Sequence, residues 1–134
     1  MSSTDSTLEL TILRLRAVRF AILRLHKALL NSERIIYEQF YGRVPSSGEF
    51  FRLVISHEWF SWLRPISQFI IQIDDVLNAK EPISLEQVNA LLDQARSLLS
   101  PAEEGTTLEK RYFNAIQRDP DIALMHAEVS KLLN

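Results

Sequence analysis

The sequence predicts an all-α fold, a helical bundle of about five helices with a long first helix and a kinked, tryptophan-rich core helix. Three observations predict it. Apolar residues recur at helical spacing along nearly the whole chain, with no sustained alternation of the strand type. Helix-start signals stand before several of those apolar runs. Only three glycines occur, too few for a sheet rich in tight turns.

The first helix opens, on its sequence, at the capping box Ser6-x-x-Glu9. Leu8, Leu15, Ile22, Leu29 and Ile36 follow at seven-residue intervals with Val18 and Leu25 between them, the seam of a bundle. Leu10, Leu13, Ala17 and Phe20 form a second apolar set on the other side. A helix apolar on two sides is contacted on two sides, so it is either central in the bundle or meets another subunit. Unbroken from Thr7 to Tyr41 it would run roughly 50 Å, whereas a compact domain of this size is about 36 Å across. It therefore bends, with Asn31-Ser32 the best place, or it overhangs. An overhang favours a dimer, with Leu10, Leu13 and Phe20 as the candidate dimer face.

Gly42 to Gly48 punctuates the chain, and Ser46 or Ser47 can cap a short helix over Glu49–Ser56. The core helix comes next. Trp59, Trp62, Leu63, Ile66, Phe69, Ile70, Ile73 and Leu77 share one side, and Arg64, Gln68, Gln72 and Asp75 the other. Pro65 kinks this helix if it starts near His57, or takes the favoured first position if it starts at Arg64; the aromatic spacing favours the kink. Ser84-x-x-Gln87 opens a helix carrying Leu85, Val88, Leu91, Leu92, Ala95, Leu98 and Leu99. Thr106-x-x-Glu109 opens another with Leu108, Tyr112 and Ile116 inward. Asp119-Pro120 starts the last, which buries Ile122, Met125, Val129, Leu132 and Leu133. Residues 1–134 read as one domain, with 1–6 disordered.

Composition narrows function. With 46% apolar and 24% charged residues the chain is too apolar to be disordered. It has no cysteine, which excludes disulfides and thiolate metal sites and suits a reducing cytoplasm. The N-terminus lacks the basic start of a signal peptide, and no apolar run reaches the length of a membrane span. A net charge of −2 gives no global pull on nucleic acid. Arg14, Arg16, Arg19, Arg24 and Lys27 cluster in sequence, but their helical angles scatter over more than half the circumference. They read as snorkelling or as paired with carboxylates of neighbouring helices, not as a nucleic-acid or in-plane membrane face.

Catalytic patterns are equally sparse. A di-iron bundle needs Glu-x-x-His pairs, and the residues three before His26, His57 and His126 are Leu23, Val54 and Ala123. That leaves only a mixed site from His57, Glu58 and His126, and no resident metal or other cofactor is expected. Ser56-His57-Glu58 places three catalytic residue types side by side, but helical neighbours point about 100° apart and form no relay. A boundary role, with a polar residue capping the turn before Trp59, fits them better. Asp74-Asp75 reads as a solvated edge coupled to Arg64 or Lys80. His57, Trp62 and Arg64 are the candidate contacts for a ligand or partner, since an arginine fork can orient a carboxylate.

The segment His57-x-Trp-Phe-x-Trp-Leu-Arg-Pro-Ile-Ser67, followed by Ile70-x-x-Ile-Asp-Asp75, resembles a family of small bacterial helical proteins of unknown function. The resemblance implies a bacterial, cytosolic, all-helical protein and transfers no activity. The expectation is a non-enzymatic helical interaction or structural module, with itself or another protein as partner. The alternative is a small-molecule binder or enzyme with a pocket between helices near Trp59 and Trp62, gated by His57, Arg64 or Tyr112.

Overall fold

The computed structural model describes residues 3–134, with side chains from Ser6 onward. Six α-helices and one 3₁₀ helix make up the fold, with no strand among the described residues: α1 (Ser3–Tyr41), α2 (Ser47–Ser56), the 3₁₀ helix (Glu58–Leu63), α3 (Arg64–Leu77), α4 (Leu85–Leu98), α5 (Thr107–Arg118) and α6 (Pro120–Leu133).

Helix α1 is continuous over 39 residues, about 57 Å at 1.5 Å per residue. Its seam forms as the spacing requires: Leu15, Val18, Ile22, Leu25 and Leu29 are all fully buried. The start differs from the sequence reading. Ser6 lies inside the helix, which opens at Ser3. A Ser-x-x-Glu spacing can fall inside a helix as well as at its start, so the motif does not fix which turn comes first. Of the residues expected to be disordered, 1–2 lie outside the described ones. The helix runs through Asn31-Ser32 without interruption. Ser32 and Glu33 are buried polar residues that receive Arg118, with Nε donating to Ser32 Oγ at 3.2 Å and Nη2 to Glu33 Oε1 at 3.1 Å. Ser32, which with Asn31 reads as a hinge, is part of a tie to another helix.

Gly42 ends α1. At φ +88° it occupies the left-handed region, and its amide donates to the Glu38 carbonyl at 2.9 Å, an αL cap that suits glycine. The following loop is held against the helix, because Glu38 accepts the Val44 N–H and Arg34 donates to the Val44 carbonyl. Ser46 then caps α2 by accepting the Glu49 N–H.

The tryptophan-rich stretch breaks by a change of helix type. Glu58–Leu63 is 3₁₀, α3 begins at Arg64, and Pro65 sits in its first turn, where the missing N–H costs no bond. Over six residues a 3₁₀ and an α segment share the i, i+3 spacing that places Trp59 and Trp62 together, so the pattern alone favours neither. Phe60, Trp62, Leu63, Ile66, Phe69, Ile70 and Ile73 are buried, and Trp59 is half-buried.

The later starts follow their motifs. Ser84 and Gln87 form a complete capping box, as do Thr106 and Glu109, and Asp119 accepts the Asp121 N–H. Two bonds to Thr106 hold the Glu109 carboxyl below its ordinary range. Helix α1 packs against α3, α4, the 3₁₀ helix and, most extensively, α6. Arg118 meets Glu33 just before α6 begins, and Glu128 meets Arg24 further along it. Numbers rising along α6 thus pair with numbers falling along α1, so the two helices are antiparallel. Asp74 is not coupled to Arg64 or Lys80. It takes a two-pronged ion pair from Arg19 of α1, through Nε and Nη2. Helix spacing cannot reveal which distant arginine arrives opposite a carboxylate.

Candidate interaction surface

Helix α1 is not central: the face opposite its seam has no cover. Leu10, Leu13 and Phe20 are 68%, 62% and 60% exposed. They lie on one stripe because intervals of three and seven residues return to nearly the same helical angle, and Ala17 completes the set. Isolated exposed leucines are ordinary, whereas a contiguous stripe of large apolar side chains marks a contact surface.

The stripe forms one wall of an open trough of about 810 Å³ between α1 and α6. Ala17 and Ala21 leave room at its floor, and Leu132 stands on the α6 side. Arg14, Arg24, Lys131 and Glu128 supply its charges, Arg24 and Glu128 approaching to 3.6 Å. The α6 wall is invisible in the sequence, since nothing local in residues 128–132 says that they stand beside Leu10 to Arg24.

The other candidates lie elsewhere. His57 caps the 3₁₀ helix, its Nδ1 accepting the Trp59 N–H at 3.0 Å. Arg64 Nη2 donates to the His57 carbonyl at 3.0 Å, so the two residues form one clip across the 3₁₀ helix. Trp62 is 4% exposed and borders a separate cleft of about 460 Å³ with Glu58, Ser61, Pro65, Thr106 and Arg111. Neither His57 nor Arg64 lines that cleft. Trp59 instead joins an aromatic cluster with Tyr37, Phe40 and Tyr41, and the Arg111 guanidinium lies 5.6 Å from its ring centroid. The structure thus joins His57 to Arg64 and leaves Trp62 facing other groups.

One polar pair escaped the sequence reading. The Tyr112 hydroxyl, fully buried, shares a hydrogen bond with His126 Nδ1 at 2.7 Å. Burial pushes the phenol above its ordinary range and the His126 imidazole below its own, so both stay neutral in this contact. The residues are fourteen apart on two helices, and no spacing rule links them. Among the described residues, no three His, Asp or Glu side chains converge as metal ligands would. No helix among them is long and apolar enough to cross a membrane.

No protein-family model matches this sequence, and neither the curated proteins nor the solved structures contain a match.

Proposed function

We propose that this protein is a non-enzymatic helical interaction module that offers the α1 face of Leu10, Leu13 and Phe20 to a second polypeptide, either another copy or a different chain. The observation that carries the reading is the exposure of that stripe on a helix whose opposite face is fully buried. Fully burying a leucine or phenylalanine side chain contributes about 1.5–3 kcal/mol, so the exposed parts of these three are the apolar anchors of such a contact. The reading places the protein in a reducing compartment, in keeping with its lack of cysteine.

Site-specific photo-crosslinking in cells tests it. A photoreactive residue replacing Leu13 is expected to give a discrete crosslinked product. The matched control replaces Ile71, an apolar residue of α3 with 58% exposure, and is expected to give none. Equal products from the two positions, or none from position 13, overturn the reading.

The cleft beside Trp62 supports a second reading, a small-molecule site. Its polar rim of Glu58, Ser61, Thr106 and Arg111 could orient a ligand against the indole. Tryptophan fluorescence across a metabolite panel tests this, and an unchanged spectrum with every compound removes its support.

A further inference from the structure

We propose that the trough between α1 and α6 takes an amphipathic helix with acidic flanks, from a polypeptide other than this chain. The proposal rests on the interaction reading above and specifies the partner's chemistry. Three features of the trough carry it: its shape, its length and the sign of its rim.

The shape is concave. Ala17, which lies between Leu10 and Leu13 around the helix, and Ala21, beyond Leu10, give the trough small side chains among the larger Leu10, Leu13, Phe20 and Leu132. Small residues at a helix contact let a second backbone come close, and apolar walls receive anchors at i, i+3 and i+7. The length suits a helix as well. From Leu10 to Arg24 the wall runs about 21 Å, or roughly four turns, which a partner segment of about 15 residues covers.

The rim is cationic in a chain whose net charge is −2. Arg14, Arg24 and Lys131 line the trough, and its one acidic side chain, Glu128, already faces Arg24 at 3.6 Å. Arg14 and Lys131 have no ion-pair partner among the described residues. On the outer flank Arg16 stands beside Phe20 in the neighbouring cleft. Lys27 follows Phe20 by seven residues on the same stripe; Glu9 shares that flank, and Asp74, which borders the neighbouring cleft, is already paired with Arg19. Complementary potential selects partners and rejects like charge. A second copy is a poor match. Antiparallel pairing about the middle of the stripe sets Arg14 of one copy against Arg16 of the other, and parallel pairing sets each arginine against its own counterpart. A flat anionic bilayer would leave the concave floor unfilled.

Fluorescence anisotropy with two labelled peptides of 16 residues tests the proposal. Both carry leucine at the contact positions; one has glutamate flanks and the other lysine flanks. The intact protein is expected to bind the glutamate peptide at least about tenfold more tightly in 50 mM salt, and the preference should shrink in 1 M salt, where the screening length falls to about 3 Å. Arg14→Glu with Lys131→Glu should reverse it. Leu13→Asp with Phe20→Glu, shown by circular dichroism to stay folded, should abolish binding of either peptide.

Equal affinity for the two peptides, lost in the Leu13/Phe20 variant, overturns the acidic partner and leaves the interaction face standing. Binding that survives that variant overturns both. The acidic partner also falls if neither peptide binds, if light scattering finds a dimer that the Leu13/Phe20 variant dissolves, or if phosphatidylserine vesicles bind this face and the glutamate peptide does not.

Discussion

Arg118, at the end of α5, donates from Nη2 to Glu33 Oε1 at 3.1 Å, and Glu33, in the interior of α1, is only 2% exposed. The contact ties the long helix to the turn that launches α6. A carboxylate so deeply buried depends on its partner, because desolvation without a counter-charge is expensive. The pair is thus a commitment of the fold: once Glu33 is inside, Arg118 must arrive.

Removing Arg118 should therefore cost more than removing both residues. Arg118→Met is expected to lower stability by about 2–4 kcal/mol, somewhat discounted because Arg118 is one-third exposed. Glu33→Leu combined with Arg118→Met should recover most of that loss. Urea unfolding checks both, and an Arg118→Met change below about 0.5 kcal/mol would contradict the account, since that is the range of an ordinary surface substitution.

Acid should weaken the fold through its histidines. Burial lowers the pKa of both His26 and His126. Below about pH 6.5 the unfolded chain takes up protons on these imidazoles while the folded chain resists. Stability is thus fully present above pH 6.5 and falls as pH drops from there towards the lowered folded values. Thermal melts between pH 7.5 and 5 should show this decline, and His26→Gln with His126→Gln should flatten it. An unchanged slope in that double variant would assign the decline to other groups.

Arg64 should prove structural. Its guanidinium closes the clip onto the His57 carbonyl, which also accepts the Phe60 N–H at 3.2 Å, and loss of the arginine bond has a net cost of about 1 kcal/mol. Arg64→Ala is expected to lower stability by about that amount and to shift tryptophan emission to the red as the 3₁₀ helix loosens around Trp59 and Trp62. Unaltered emission and stability would mean that the clip does not hold the helix.

Local signals were legible and distant pairings were not. The seam through Leu15, Ile22 and Leu29 is a periodicity, and the boxes at Ser84/Gln87 and Thr106/Glu109 close within one turn, so each is complete in a short stretch. Arg19 with Asp74, Gln72 with Gln94, and Tyr112 with His126 join helices whose relative placement no local pattern encodes. Ser32, read with Asn31 as a bend, misled for the same reason, since its partner Arg118 is 86 residues away. The two-sided character of α1 could be read directly. Whether its second side stays open could not, because Leu10, Leu13 and Phe20 read equally well as covered by another helix until the position of α6 is known.

Leu13 and Leu15 give the most direct test that the fold leaves the outer face of α1 uncovered. Leu13 is 62% exposed and Leu15 fully buried, two positions apart on one helix. Thermal unfolding of Leu13→Asp is expected to remain cooperative with a midpoint within about 3 °C of the parent protein, as for a surface change. Leu15→Asp, which places a charge in the core, should abolish the transition. If Leu13→Asp unfolds the chain as Leu15→Asp does, the stripe belongs to the core and no surface is left for a partner.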